Sequence, residues 1–273
     1  MDDASEERGL FARTAADRPL YLAGELGVAV AQVADDRVGE FGIVRRCSPR
    51  DVAAGGGGVA VATTDDVLLD PAATGEGSNL RATDFGPAGA VGIDADGTLT
   101  AVAPSGRVAQ RGPDDGTWVD RGRVGSAVLA IDPPFIATDD GVVRVGNDGP
   151  RNVGLVDVRD VSTAGVPRAA TPSGLYRLGN GWMDELAGPF DCVAGRTTAE
   201  DVVTVAAGAD GLFAAIDGAW EPLDVPVAGP IADVGVAGGP LAVTEAGCLL
   251  LAGPDGLRPF ELGLPDVRGL AVP

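Results

Sequence analysis

A tight-turn signal returns along the chain at Gly27, Asp66, Gly106, Gly141, Gly174, Gly211 and Gly247, spaced about 37 residues apart on average. A chain repeating at this interval buries its apolar residues by stacking one repeat on the next. The clearest copy runs from Arg168 to Leu186: Thr171-Pro172-Ser173-Gly174 is a turn, Leu175 to Leu178 leaves it as a strand, and Asn180-Gly181 turns again into Trp182. A small or polar residue three places before the glycine suits a type I turn whose last residue takes a positive φ, cheap for Gly and tolerated by Asn or Asp. Asp66 fits as the aspartate exception.

Laid out on this period, the chain predicts an all-β, seven-bladed β-propeller of four-stranded blades. The expected boundaries are a polar N-terminal tail over 1–19 and one propeller domain over 20–273. Blade 1 takes 20–46 plus 266–273, blade 2 50–86, blade 3 89–124, blade 4 126–157, blade 5 158–189, blade 6 190–228 and blade 7 230–264. Blade 1 starts without an inner strand, and Asp266 to Val272 matches an inner strand with nothing after it, so the last strand is expected to complete the first blade. That closure removes the free sheet edge between the ends of the ring. Outer strands are expected at Asn79–Thr83 in blade 2 and Val153–Val156 in blade 4. For the tail, a mobile segment and a short docked helix both fit.

The chain of 273 residues has 42 Gly, 20 Pro and 45% hydrophobic residues, which suits short strands joined by tight turns. Its net charge is -20, from 40 Asp and Glu against 20 Lys and Arg, every one of the latter being Arg. A surface of this kind reads as adaptation to molar salt, where the Debye length is about 3 Å and self-repulsion is screened. Scattered, outnumbered arginines do not suit phosphate neutralisation, so no nucleic-acid partner is expected. Cys47, Cys192 and Cys248 stand far apart and read as free thiols. The start has no basic and apolar leader pattern, and the apolar run Cys248 to Ala252 is too short to cross a bilayer. A cytoplasmic location, no membrane association and a monomer are expected.

Histidine is absent, which removes the Ser-His-Asp and Cys-His nucleophile pairs and imidazole zinc sites, and the lack of Lys removes Schiff-base chemistry. What remains is carboxylates, arginines, Tyr21, Tyr176 and oxygen-ligated metals. Tyr176 repeats the apolar position of Phe213 and Val143 and reads as core. Gly55 to Gly58 has neither the Lys nor the helix of a phosphate loop and reads as a hairpin turn. Trp118, Trp182 and Trp220 recur at similar places and read as wedges between blades. In five blades an Asp opens the inner strand ahead of Val or Cys: Asp51, Asp160, Asp191, Asp233 and Asp266. These are the candidate metal or cation ligands at the channel mouth, where like charges would raise one another's pKa or recruit a cation. The competing reading has each Asp capping its own loop, with Arg159 and Arg268 placed to pair with neighbouring carboxylates. No catalytic residue and no cofactor is assigned.

Asp114-Asp115-Gly116-Thr117-Trp118 resembles a shortened Asp-box turn of sialidase-type propellers, a fold marker that implies no catalysis. The T-x-x-G-L-Y-R theme is similar to many seven-bladed repeats, WD40 being a weaker match because the Gly-His and Trp-Asp dipeptides are missing. The entire Lys-free acidic chain most resembles the functionally uncharacterised seven-bladed β-propeller proteins of halophilic archaea, which implies a fold and no activity. The expected function is a non-enzymatic interaction or scaffold protein with a protein partner. The alternative is a metal-dependent hydrolase or lactonase with carboxylate ligands at the channel.

Overall fold

The computed structural model describes residues 18–34, 36–76, 79–114, 116–198, 201–216 and 218–273. Within them the chain forms seven antiparallel four-stranded sheets and no α-helix, and no helix is long and apolar enough to cross a membrane. The first blade contains β1 (Arg18–Gly24), β2 (Gly27–Ala34) and β3 (Arg37–Arg45), the second β4 (Pro49–Gly55), β5 (Gly58–Thr63), β6 (Val67–Asp70) and β7 (Arg81–Ala82). The third holds β8 (Ala90–Ile93), β9 (Leu99–Val102), β10 (Arg107–Arg111) and β11 (Trp118–Arg123), the fourth β12 (Val128–Asp132), β13 (Phe135–Thr138), β14 (Gly141–Gly146) and β15 (Gly149–Asn152). The fifth has β16 (Asp160–Ser162), β17 (Arg168–Thr171), β18 (Gly174–Leu178) and β19 (Trp182–Ala187). The sixth has β20 (Cys192–Thr197), β21 (Val202–Gly208), β22 (Gly211–Ile216) and β23 (Ala219–Leu223). The seventh has β24 (Ile231–Val236), β25 (Pro240–Thr244), β26 (Cys248–Gly253) and β27 (Gly256–Glu261), and β28 (Gly269–Ala271) returns to pair with β1. Leu22 faces Leu270 in that closing pair, and the Arg268 N–H donates to the Ala23 carbonyl at 2.9 Å.

Packing follows from the radial arrangement. A second strand has a neighbouring blade on each side, so its residues need not alternate: every residue of β5 and of β25 is buried. The outer strands β3 and β11 are largely exposed. The apolar residues gather between blades. Leu22, Val243, Leu249 and Leu270 join the seventh blade to the first, Tyr21, Val52 and Val61 join the first to the second, and each remaining neighbouring pair has its own cluster. Trp118 acts as such a wedge, its ring 4.7 Å from that of Phe85 and its Nε1–H donated to the Thr83 carbonyl of the preceding blade. Trp182 repeats this with Phe135 and the Val153 carbonyl, and Trp220 sits over the guanidinium of Arg168.

Several sequence expectations need correction. The fourth outer strand is Gly149–Asn152, not Val153–Val156, because Gly154, Leu155 and Asp157 all take positive φ and turn the chain out of the sheet. Residues 1–17 of the expected tail lie outside the described residues, and Arg18 and Pro19 already pair with Val33 and Gln32. In the second blade the outer strand shrinks to Arg81–Ala82. Asp266 takes φ 52° and precedes β28 rather than opening it. Among the turn markers, Asp66 and Gly174 do not take the positive φ seen at Gly106 and Gly247. At those two glycines a Cβ would also lie 2.2 Å from the carbonyl oxygens of Val124 and Leu264. Asp66 is used differently: Oδ1 accepts the N–H groups of Val67, Phe85 and Gly86, and Oδ2 that of Asp84. Tyr176 is half-buried rather than core, its hydroxyl 3.2 Å from Ser173 Oγ.

Candidate functional site

The inner strands enclose a channel of about 760 Å³. An inner strand has a ladder partner on one side only, so the N–H groups on its other edge need acceptors from elsewhere. Three of the five sequence-selected aspartates supply them. Asp51 Oδ1 accepts the Val52 N–H at 2.8 Å and its Oδ2 accepts the Val91 N–H of the next blade at 2.9 Å. Asp160 repeats this with Val161 at 2.7 Å and Val193 at 2.8 Å, and Asp233 with Val234 and Leu270, both at 2.8 Å. Each carboxylate therefore clasps two blades, where the competing sequence reading had each capping its own loop. Asp132, which sequence reasoning missed, sends Oδ2 to the Thr163 N–H of the fifth blade at 2.6 Å.

Register explains which aspartates do this. Asp51, Asp160 and Asp233 stand opposite Ala62, Ala170 and Val243, each one residue before a turn threonine: Thr63, Thr171 or Thr244. The corresponding positions elsewhere are Gly269, Ala90, Ala130 and Cys192. Asp191 falls one residue short of the position and Asp266 three; both are exposed, and Asp266 pairs with Arg268 at 3.5 Å. Arg159 pairs with Asp157 at 3.3 Å, not with Asp160. The threonine register was the signal that could have separated the three from the five.

The clasps also exclude one another on adjacent blades. An N–H has one hydrogen to give, and in a clasping blade the residue after the Asp gives it to its own carboxylate. The next blade must therefore lack an Asp at that position so that its N–H is available. The pairs are the second with the third blade, the fifth with the sixth, and the seventh with the first, which is as many as a ring of seven can hold.

Burial sets the chemistry of these groups. Each residue keeps part of its surface at the channel while its carboxyl is enclosed, and loss of hydration pushes Asp51 up to about 6 and Asp233 up to about 7, against the N–H bonds that favour the ionised form. Asp160 is raised well above the usual carboxylate range by burial and then by the charge of Asp233. Burial raises Asp132 as well. Cys192, in the clasp position of the sixth blade, is buried and pushed well up by desolvation and by Asp233 and Asp160. Among the described residues no group of three or more acidic or thiol side chains is arranged to hold a metal ion. Tyr21 is tied up structurally: its oxygen accepts the Gly75 N–H at 2.7 Å, its hydroxyl donates to Asp70 Oδ2 at 3.4 Å, and burial pushes it up to about 12. The Asp-box-like turn joins β10 to β11, with Gly116 accepting from Arg111 Nε at 2.8 Å; Asp115 lies outside the described residues.

Seven four-stranded blades, closed by the last strand and clasped around a central channel, define a β-propeller. The chain belongs to the family described as "Beta-prop_HVO_0234:-like, beta propeller", whose model matches residues 4–273. Among curated protein sequences none matches it. Its fold is similar to that of the WD40 domain of Neurospora crassa Pan2, with TM-score 0.60 and 11% identity over 93% of this chain and 90% of that one. It is also similar to the WD40 β-propeller domain of Doa1, with TM-score 0.58 and 11% identity over 91% and 94%. BBS1N, crystallised in complex with ARL6DN, gives TM-score 0.55 and 14% identity over 88% and 93%. At these identities the likeness is one of fold.

Proposed function

We propose that this protein is an interaction scaffold that binds a protein partner and catalyses no reaction itself. The observation that carries the reading is the use made of the channel carboxylates: Asp51, Asp160 and Asp233 commit both oxygens to backbone N–H groups of neighbouring blades. In a chain without His or Lys, these are the groups a hydrolase would draw on, and a clasp that ties the ring is poorly spared for a substrate. A neighbour of similar fold, BBS1N, is found in complex with ARL6DN, and the faces of repeat arrays offer binding surface without altering the core. The acidic, Lys-free composition supports function in high salt.

The test is capture of the tagged full chain from its native-salt lysate, with reciprocal capture by any protein recovered. A partner that returns the chain reciprocally is the expected result, and failure to recover one overturns the reading. A panel of lactones and esters with added calcium or manganese addresses the alternative: metal-dependent turnover that disappears in Asp51→Asn would replace the scaffold by an enzyme.

A further inference from the structure

We propose that two copies of the chain pair antiparallel along the outer strand of the first blade, with Phe41 of each copy against Ile43 of the other. Among the described residues no strand covers the outer edge of β3. Each blade has such an edge, and short strands and proline are the usual guards against pairing there. β7 is two residues long, and β15, β23 and β27 contain Pro150, Pro222 and Pro259. β11 and β19 have six residues each and one exposed large apolar side chain, Val119 or Met183. β3 has nine residues, no proline and two such side chains, Phe41 at 38% and Ile43 at 36% exposed.

The direction of the backbone groups follows from the closing strand. The Ala23 carbonyl accepts the Arg268 N–H, so alternate residues of β1, Leu20 and Leu22, turn their backbone groups to Ala31 and Ala29 of β2. Val30 then faces β3 and bonds Gly42, and the N–H and C=O groups of Phe41 and Ile43 on either side of it point to the uncovered edge. Pairing with β2 shifts register at Val28/Ala29 and at Ala31/Val33, so the straight part of the edge is Phe41-Gly42-Ile43. Gly42 takes no positive φ, and a Cβ on it would meet nothing within 4 Å. Its own blade does not call for glycine there, and a glycine inside a strand often marks where another backbone comes close.

The strand is complementary to itself. With a two-fold axis at Gly42, the outward groups of Phe41 meet those of Ile43 of the second copy, and the same pair recurs across the axis. That is an aromatic residue beside a β-branched one on one face of the joined sheet. Arg45 falls opposite Gly39, so no like charges stand opposed, whereas an axis at Phe41 would set Arg37 against Arg45. Composition led to the expectation of a monomer; the edge of β3 points to a dimer whose two rings lie side by side.

The experiment is sedimentation equilibrium of the full chain over a range of concentrations in molar salt, where the repulsion between two chains of net charge -20 is screened. Wild type should show a reversible monomer–dimer equilibrium. Ile43→Pro removes an N–H that faces outward, a change an edge strand tolerates, and should weaken the dimer about tenfold or more. A wild type that stays monomeric throughout, or a dimer whose Kd is unchanged in Ile43→Pro, overturns the proposal. Where Ile43→Pro does not fold, Gly42→Cys decides. Residues opposed without hydrogen bonds in an antiparallel pair have Cα atoms about 4.5 Å apart, within disulfide range. Mild oxidation should therefore link Gly42→Cys into a covalent dimer, while wild type, which has the native Cys47, Cys192 and Cys248, and Gly146→Cys, at another glycine with open space around it, should stay unlinked. No crosslink through Gly42→Cys, or an equal one through Gly146→Cys, overturns the pairing.

Discussion

Arg168 on β17 and Glu185 on β19 form a bidentate pair inside the protein, with Nε 2.8 Å from Oε2 and Nη2 3.1 Å from Oε1, and only 6% and 10% of the two side chains exposed. The remaining arginine nitrogen, Nη1, reaches the Val166 carbonyl and Thr204 Oγ1, both at 3.2 Å, and the guanidinium lies over the Trp220 ring of the next blade. The fifth and sixth blades are thus joined by a charge that is satisfied on every side.

Breaking that pair strands its partner. Arg168→Met should cost about 3–5 kcal/mol because Glu185 keeps a buried charge with nothing to neutralise it, whereas Arg168→Met with Glu185→Leu should come back to within about 1–2 kcal/mol of wild type. Denaturant midpoints at fixed salt measure both. Equal losses in the single and double variants would mean that packing, not charge, holds this interface.

Ring closure rests on apolar burial more than on ladder length, since β28 is only three residues long. Leu270 is 6% exposed among Leu22, Leu241 and Val243, so Leu270→Ala should cost about 2–5 kcal/mol. Phe41 on the outer strand is 38% exposed, and Phe41→Ala should stay within about 1 kcal/mol. A larger loss at Phe41 than at Leu270 would contradict the ring-closing role of the last strand.

The clasps set a pH dependence of unusual sign. Asp51 and Asp233 bind protons more tightly folded than unfolded, being raised to about 6 and about 7. Their contribution is fully present below the ordinary carboxylate pKa of about 4 and is lost as pH rises through 6 to 7, at about 1.4 kcal/mol per pH unit for each group between its two values. Stability should therefore rise as pH falls from 8 to 5, and the rise should shrink in Asp51→Asn/Asp233→Asn. Urea unfolding at a series of pH values in constant salt checks this; equal slopes for the two proteins would show that other groups control the response.

The repeat was legible because each blade needs a tight turn, and at places such as Gly106 and Gly247 the backbone accepts no Cβ. Closure was legible from a strand left over at one end and missing at the other, since an unpaired edge must be covered. What local pattern could not carry was register. Five Asp-Val or Asp-Cys pairs look alike in one dimension, and only pairing against Ala62, Ala170 and Val243, each just before a turn threonine, separates Asp51, Asp160 and Asp233 from Asp191 and Asp266. The run Val153–Val156 has strand composition, but Gly154 and Leu155 within it and Asp157 just after it take positive φ. Arg168 and Glu185 stand 17 residues apart and meet only once β17, β18 and β19 are laid side by side.

The exclusion between neighbouring clasps predicts that a clasp can be moved but not added. Ala130 holds the clasp position of the fourth blade, opposite Ala137, and an aspartate there would need the Val161 N–H, which already belongs to Asp160 at 2.7 Å. Ala130→Asp in wild type should therefore destabilise by about 1–3 kcal/mol, the cost of enclosing a carboxylate whose partner is taken, with Asp132 adding like charge nearby. Asp160→Ala frees the Val161 N–H, so the same Ala130→Asp change should stabilise the protein in that background by shifting the clasp from the fifth and sixth blades to the fourth and fifth. The reversal of sign is the measured quantity, read from denaturant midpoints of the four proteins in one buffer. If Ala130→Asp is destabilising by the same amount with and without Asp160, the N–H groups are not being competed for, and the spacing of aspartates around the ring has some other cause.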